Sequence, residues 1–113
     1  MSGITTHVLD LSAGRPAAGM SVRLDRLQGT GWMKVAEQET DDDGRARELV
    51  AAGKPPEAGL YRLTFATRAY FHGNGVPTFY PEVSVTFEVG NPSQHYHVPL
   101  LVSPWGYSTY RGS

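Results

Sequence analysis

Apolar and polar residues alternate along most of this chain, in short stretches that turn residues separate. From Val83 to Val89, one side of an extended strand carries valines and a phenylalanine, and the other carries Ser, Thr and Glu. Residues 4–11 show the same period of two, with Ile4, Thr6 and Val8 on one side. This period is typical of β-strands that bury one face and expose the other.

Turn signals rich in Gly, Pro, Asn and Asp divide the chain into eight candidate strands and one short helix. Residues 51–59, AAGKPPEAG, are predicted to form a loop. Many short strands with one helix predict an all-β fold in a single domain of residues 1–113, an antiparallel sandwich or barrel. The strands are predicted at residues 4–11, 20–27, 32–40, 45–49, 60–66, 83–89, 95–102 and 107–110, and the helix at residues 67–72.

The composition narrows the range of partners. The net charge is −1, whereas a protein that grips phosphate backbones normally carries a basic field, so we expect no nucleic-acid partner. No apolar run approaches the roughly 20 residues that span a bilayer, and we expect no membrane partner. The chain has no cysteine, which excludes disulfides, iron–sulfur clusters and thiol catalysis and is compatible with a reducing compartment.

Two histidines, His95 and His97, stand two positions apart on a predicted strand, so both side chains point to the same face. Tyr96, Val98 and Leu100 take the opposite face and are typical of a core. The histidines therefore face away from the core, where they either meet water or serve a site. His-x-His is also a metal-ligand spacing, but a metal needs three or four ligands and no carboxylate or cysteine lies close in sequence. We expect no metal here.

The segment TDDDGR, residues 40–45, forms a predicted tight turn that leads Arg45 into a strand. Asp and Gly are turn formers in their own right, and the segment needs no further explanation. Arg45 nevertheless offers a planar guanidinium suited to an oxyanion or an amide edge. His7, near the start of the first strand, is another candidate, although a single histidine is usually structural.

The C-terminal stretch SPWGYSTYRGS carries large aromatic side chains, an arginine and several hydroxyls. Trp105, Tyr107 and Tyr110 must bury apolar area somewhere to offset the entropy of ordering. Aromatic residues and arginine are enriched in subunit interfaces. The stretch therefore predicts a docked terminal strand with the composition of an interface.

Four segments give the chain a specific resemblance. They are THVLDLSAGRPA (6–17), TDDDGR (40–45), FYPEVSVTF (79–87) and HYHVPLLVSPWGYSTYRGS (95–113). In order and spacing they resemble the transthyretin-related proteins, the 5-hydroxyisourate hydrolases, over essentially the whole chain. The terminal Tyr-Arg-Gly-Ser, residues 110–113, is the hallmark that separates these hydrolases from the transthyretins that carry thyroid hormones.

The resemblance implies a transthyretin-like sandwich of two four-stranded antiparallel sheets, without a cofactor or a metal. It implies a cytoplasmic homotetramer, a dimer of dimers, with active sites where the dimers meet. The implied reaction is hydrolysis of 5-hydroxyisourate in urate degradation, with histidine acid–base catalysis. The implied catalytic residues are His7, Arg45 and His97, and the implied substrate-binding residues are Tyr110, Arg111, Gly112 and Ser113.

Three alternatives stay open on the sequence. The chain could be a transthyretin-like small-molecule carrier without hydrolase activity, although charged and histidine side chains make a small polar site instead of an apolar channel. It could be a structural β-sandwich module, which leaves the YRGS ending without a role. It could also be a metal-dependent hydrolase that uses His95 and His97. The sequence does not assign the general base to either His7 or His97.

Overall fold

Two β-sheets packed face to face form the computed structural model, which describes residues 3–50 and 55–113. The alternating pattern of the sequence places an apolar face on each strand, and two such faces can cover each other. The elements are β1 (Gly3–Asp10), β2 (Arg15–Pro16), β3 (Ser21–Gln28), β4 (Gly31–Glu39), β5 (Arg45–Ala46), β6 (Gly59–Phe65), α1 (Thr67–Gly73), β7 (Val83–Val89), β8 (His95–Ser103) and β9 (Gly106–Thr109).

The all-β, two-sheet architecture predicted from the sequence is confirmed. One sheet has the strand order β4-β3-β6-β7, and all its neighbours are antiparallel. The other has the order β2-β1-β8-β9, and β5 also pairs with β1. This second sheet has five strands where four were expected. Two of them, β2 and β5, are only two residues long and lie one after the other along the same edge of β1.

The expectation of purely antiparallel sheets is wrong for one pair of strands, because β1 and β8 run parallel over eight residue pairs. Hairpins force antiparallel pairing only on strands that follow each other closely along the chain. Here most of the chain lies between β1 and β8, so its path through the other sheet allows β8 to return in the direction of β1. This parallel pair is the one on which the candidate site lies.

The core follows the predicted alternation. Ile4, Thr6 and Val8 of β1 are buried, and Tyr96 and Val98 of β8 are buried beside them. Burying a large apolar side chain contributes about 1.5–3 kcal/mol relative to leaving it exposed. The neighbouring residues of both strands, including the histidines of β8, lie on the opposite, outer face of the sheet.

The predicted strand at residues 45–49 is shorter than expected, because pairing ends at Ala46. Beyond it, the Glu48 N–H bonds to the side chain of Gln38, 3.1 Å away, and Leu49 turns into the core with 1% exposure. The chain leaves the sheet because a buried contact for Leu49 replaces further ladder bonds. Part of the predicted loop at 51–59, residues 51–54, lies outside the described residues.

The predicted helix is confirmed as α1, which ends before Gly75, a glycine with φ of 73°. Phe71 fixes α1 in the core. The Tyr70 hydroxyl donates a 2.8 Å hydrogen bond to the buried Asp10 carboxylate at the end of β1. Burial, together with this carboxylate, raises the pKa of Tyr70 to about 12. No helix in the described parts of the chain is long and apolar enough to cross a membrane.

Candidate active site

The parallel pairing of β1 and β8 sets Thr5 directly beside His97 on the outer face of the five-stranded sheet. Because side chains on a strand alternate between faces, His7 lies on the same face, two residues further along β1. Residues on this face are half-buried, whereas their neighbours in sequence are buried in the core. The register therefore brings together two of the three catalytic residues expected from the family resemblance.

The third expected residue, Arg45, reaches the same face through β5. Its Cα pairs with that of His7, and the pairing is antiparallel. The TDDDGR turn holds Arg45 in that place: one Asp41 carboxylate oxygen accepts hydrogen bonds from the backbone N–H groups of Asp43 and Arg45, at 2.9 and 3.0 Å. Both bonds lower the pKa of Asp41, and the bond from the Arg45 N–H has the larger effect. His7, Arg45 and His97 thus form one cluster.

Gly44 makes this turn possible. Its φ is 77°, a value that residues with a side chain rarely adopt, and its carbonyl accepts a 2.7 Å hydrogen bond from the Val8 N–H. A Cβ at this position would lie 2.4 Å from the carbonyl oxygen of Val8. The turn therefore docks against β1 so closely that no side chain fits between them, and this docking positions the next residue, Arg45.

The same turn fixes the ring of His7. Its Nε2 lies 2.8 Å from the carbonyl oxygen of Asp43. A carbonyl oxygen only accepts hydrogen bonds, so Nε2 carries the proton and donates it. When His7 is neutral, its other ring nitrogen, Nδ1, therefore holds a free lone pair that is able to take up a proton.

A threonine hydroxyl joins the two histidines of β8. The Oγ1 atom of Thr5 lies 2.8 Å from Nδ1 of His97 and 2.9 Å from Nε2 of His95. One hydroxyl therefore links the side chains of His95 and His97. In the described residues, no group of three or more His, Cys, Asp or Glu side chains is placed to hold a metal ion.

The surroundings of His97 lower its pKa. Burial lowers its pKa below the ordinary value of 6.5. The charges of Arg45, His7 and His95 lower that pKa further, since each disfavours a second positive charge nearby. His97 is consequently neutral at neutral pH and is able to donate or accept a proton through Nε2.

The C-terminal segment closes over His97. Beyond β9 the backbone pairs with β8 again, and the Gly112 N–H donates a 2.8 Å hydrogen bond to the His97 carbonyl. A Cβ on Gly112 would lie 2.6 Å from Cδ2 of the His97 ring. Only glycine allows this contact, so the segment forms a wall of the histidine cluster through its backbone.

The other residues of the terminal tetrapeptide lie around this wall. The Arg111 guanidinium stacks over the ring of Tyr96, 4.6 Å from its centroid, and donates to the Gln94 side chain at 3.1 Å. Because Tyr96 faces the core, Arg111 lies on the side of β8 opposite to the histidines. Tyr110 and Ser113 are exposed. The fold thus brings Gly112, but not the Arg111 side chain, to the histidines within one chain.

The sequence model of the HIUase/Transthyretin family matches residues 4–112. The chain belongs to this family.

The proteins that resemble this chain include 5-hydroxyisourate hydrolases and transthyretins. The 5-hydroxyisourate hydrolase of Caulobacter vibrioides is 51% identical over 117 residues, which cover 100% of both chains. The structure of Klebsiella pneumoniae 5-hydroxyisourate hydrolase matches with a TM-score of 0.88 at 39% identity, also over 100% of both chains. Sea bream transthyretin in complex with thyroxine matches with a TM-score of 0.88 at 30% identity, over 96% of this chain and 93% of that one. The same fold is thus shared by a protein named as a hydrolase and by a transthyretin in complex with thyroxine, so the fold alone does not identify the function.

A groove in this member of the HIUase/Transthyretin family lies away from the histidines. It has a volume of about 270 Å³ and runs between the edges of the two sheets, along residues 85–88 of β7 and 109–111 of the C-terminal segment. Its remaining walls are the core-facing side chains Tyr96 and Val98. No histidine lines this groove, whereas His7 and His97 lie on the outer face of the five-stranded sheet.

Sequence reasoning missed two groups of the cluster. Thr5 reads as an ordinary β-branched strand residue, and its contact with His97 depends on a pairing 92 residues apart. The carbonyl of Asp43 has no sequence signature at all, because every residue has a carbonyl. The spacing of the two histidines marks His95 in the sequence, but it does not predict the contact of His95 with Thr5.

Substituting Gly112 with Ala tests the wall that the C-terminal segment forms. The added methyl group must displace the His97 ring or break the backbone bond to it, and we expect turnover to fall roughly ten- to hundredfold. Gly106→Ala is the matched control, since a Cβ there lies 3.9 Å from the nearest side-chain atom. Both variants are compared by steady-state kinetics on 5-hydroxyisourate, and equal turnover in the two would show that Gly112 does not shape the site.

Proposed function

We propose that the chain hydrolyses 5-hydroxyisourate to 2-oxo-4-hydroxy-4-carboxy-5-ureidoimidazoline, a ring-opening step of urate degradation. The proposal is carried by one observation: two histidines with different ring-nitrogen partners share the outer face of the sheet with Arg45, in a chain 51% identical to a protein named for this activity. Hydrolysis of a ring amide needs a base, an anion-stabilising group and a proton donor, and this cluster supplies candidates for each.

His7 fits the role of the base. Because the Asp43 carbonyl occupies Nε2, the free lone pair is on Nδ1, where it is able to accept a proton from the attacking water. The water oxygen forms a bond to the ring carbonyl carbon, and the carbonyl oxygen gains negative charge. Histidine is suited to this exchange because its ordinary pKa lies close to neutral pH.

Arg45 fits the role of the anion-stabilising group. Its guanidinium is permanently charged, and its backbone is anchored by the Asp41 carboxylate on one side and by β1 on the other. Donors that are already in place cost no reorganisation when charge develops on the carbonyl oxygen. The carbon–nitrogen bond then breaks, and the leaving nitrogen takes a proton from the remaining histidine, His97. The proton that His7 removed from water replaces it on His97, so both rings end the step neutral. Water attacks directly, without an acyl-enzyme.

The assembly and the remaining residues belong to the same proposal. We infer a cytoplasmic homotetramer, a dimer of dimers, whose active sites lie between dimers and need no cofactor. Large exposed side chains support subunit contacts, among them Trp105 at 66% exposure and Tyr110 at 60%. From the family resemblance we infer that Tyr110, Arg111 and Ser113 line the substrate pocket together with Gly112. Since the Arg111 side chain lies across β8 from the histidines of its own chain, it reaches such a pocket only in another subunit of the assembly.

An ultraviolet time course tests the proposed function. Urate oxidase generates 5-hydroxyisourate from urate, and the protein is added while the intermediate is still present. We expect its absorbance to decay much faster than in the uncatalysed control, and exhaustive chelation of metals to leave that rate unchanged.

A carrier would give the opposite pair of results. Decay at the uncatalysed rate, together with micromolar binding of an iodinated aromatic compound, would contradict the hydrolase proposal and favour carriage. Loss of activity on chelation would instead contradict the metal-free mechanism and support a metal-dependent hydrolase that uses His95 and His97.

A further inference from the structure

We propose that Thr5 and His95 are positioning residues that hold His97 as the tautomer with its proton on Nε2, so that His97 is the proton donor of the reaction. The assignment of a chemical role to this tautomer rests on the proposed function. The tautomer itself does not, because it follows from hydrogen bonds inside the protein.

The Thr5 hydroxyl couples the protonation of two rings. A hydroxyl has one hydrogen to donate and lone pairs to accept with, and here it lies within hydrogen-bond distance of Nδ1 of His97 and Nε2 of His95. When its hydrogen takes part in one of these bonds, the hydroxyl donates to one ring and accepts from the other; if it accepted from both rings, its own hydrogen would bond to neither of them. The proton position on His97 is therefore set together with that on His95, and two orders of the three groups use the hydroxyl hydrogen.

In the first order, His95 Nε2–H donates to Thr5, and Thr5 donates to Nδ1 of His97. The proton of His97 is then on Nε2, and Nδ1 of His95 carries only a lone pair. In the second order both hydrogen bonds run the other way: Nδ1 of His97 donates to Thr5, and Thr5 donates to Nε2 of His95. Nε2 of His95 is then unprotonated, so the proton of the neutral His95 ring must be on Nδ1. The two orders therefore differ in what they leave at Nδ1 of His95.

That atom decides between the orders. Nδ1 of His95 is buried and has no hydrogen-bond partner among residues 3–50 and 55–113. Gly3 pairs with His95 across β1 and β8, and a Cβ added to Gly3 would lie 3.7 Å from this nitrogen. A buried N–H without an acceptor is rare and costly. The second order would create one, whereas the first order places no hydrogen there, so the geometry favours the first.

The first order makes the two catalytic histidines complementary. His7 donates through Nε2 to Asp43 and keeps an open acceptor at Nδ1, whereas His97 accepts at Nδ1 from Thr5 and keeps an open donor at Nε2. One ring is thus ready to remove a proton and the other to supply one. This assigns the base role to His7 and the acid role to His97, which the sequence leaves open.

The surroundings of His97 favour its neutral form. Only this form has two tautomers, with the ring proton on either Nδ1 or Nε2. The titratable or charged side chains that face it are Arg45 of β5, His7 of β1 and His95 of its own strand, and all of these disfavour a second proton. Gly112, which faces it from the C-terminal segment, has no side chain. A neutral ring with one fixed proton needs a partner to hold the tautomer, and Thr5 supplies it.

Nitrogen NMR of the intact, ¹⁵N-histidine-labelled protein tests the tautomer directly, since protonated and unprotonated ring nitrogens have well-separated shifts. For the wild type we expect His97 with an unprotonated Nδ1 and a protonated Nε2. Thr5→Val keeps the shape of the side chain but removes the hydroxyl, and it should give a mixture of both tautomers. Thr5→Ser should restore the wild-type pattern. A proton on Nδ1 of His97 in the wild type, or an unchanged pattern in Thr5→Val, would overturn the proposal.

Two further variants separate this role from a structural one. His95→Leu removes the donor at the other end and should shift the His97 tautomer as Thr5→Val does. Thr6→Val is the matched control, because its hydroxyl donates to the Val98 carbonyl on the core face and touches no histidine. It should leave the nitrogen spectrum unchanged. If Thr6→Val disturbs the His97 signals as strongly as Thr5→Val, the effect is one of folding and the proposal fails.

Kinetics then connect the tautomer to turnover. Thr5→Val should lower kcat about tenfold with little change in KM, because Thr5 orients the acid without touching substrate. Thr5→Ser should recover most of that loss. An inactive wild-type protein would refute the proposed function while the NMR result still stands. An active wild type with a Thr5→Val enzyme of unchanged kcat would refute the positioning role alone.

Discussion

Replacing His97 with Asn will leave a folded protein that has lost at least about 100-fold of its turnover of 5-hydroxyisourate, the usual contribution of one acid–base group. Asn is close in size to His and keeps a polar group beside Thr5, so the β1–β8 ladder should survive. The loss should lie in kcat, because the proton that the leaving nitrogen needs is no longer supplied. Steady-state kinetics and circular dichroism measure the two parts of this prediction.

The matched control is His72→Asn, the same substitution at an exposed histidine near the end of α1. It should leave kcat within about twofold, since surface substitutions away from a site are usually close to neutral. Near-normal turnover in His97→Asn would remove His97 from the mechanism. An unfolded His97→Asn protein would instead show that the ring is needed for the fold, and Thr5→Val would then carry the test.

The same variant should change how stability depends on pH. Because the pKa of His97 is lowered in the folded state, the folded protein binds fewer protons than the unfolded chain once the pH drops below about 6.5. The stability associated with neutral His97 is thus fully present above that pH and is lost as the pH falls towards the folded-state pKa. Urea unfolding at pH 7.5 and at pH 5 should show a smaller acid loss in His97→Asn than in the wild type.

Substituting Gly44 with Ala should cost about 3 kcal/mol of unfolding free energy and most of the activity. Two effects add: the residue holds φ at 77°, and its new Cβ would meet the Val8 carbonyl oxygen at 2.4 Å. To relieve the clash, the turn must move away from β1. Arg45 and the Asp43 carbonyl that orients His7 move with it, so kcat should fall along with the unfolding free energy.

Gly19→Ala separates these two effects. Gly19 has φ of 75°, almost the same as Gly44, but a Cβ added to it would have no other atom within 4 Å. It should therefore lose only the conformational part, about 1 kcal/mol, with activity retained. Chemical denaturation measures both variants. Equal losses in the two would show that backbone conformation, and not close docking on β1, makes Gly44 necessary.

Much of the fold was predictable because strand faces follow local alternation. Burial on β1, β6 and β7 agrees with the period of two, and burial on β8 does so except at Pro99, which is buried like both its neighbours. The helix α1 agrees within one residue of its predicted end. The parallel direction of β1 and β8 was not predictable, because alternation specifies faces and says nothing of direction. The early end of β5 was not predictable either, since it depends on a core position that Leu49 fills.

The candidate site divides in the same way. Alternation alone indicated that His95 and His97 face away from the core, and residue types alone marked Arg45. The positions of the protons on the His7 and His97 rings could not be predicted from the sequence, because they depend on which atom lies opposite each ring nitrogen. The Asp43 carbonyl and the Thr5 hydroxyl occupy those places only once β5 and β8 have paired with β1.

By itself, the sequence of this chain determined the all-β class, the outward direction of the histidines and, through four matching segments, the family with its sandwich fold. Each of these depends on residue type and on spacing along the chain, which the sequence contains. Only the tertiary structure decided that His7, Arg45, His97 and Gly112 form one cluster and that its two histidines differ in their hydrogen-bond partners. Those relations join residues up to about 100 positions apart, and register and backbone contact create them when the sheets form.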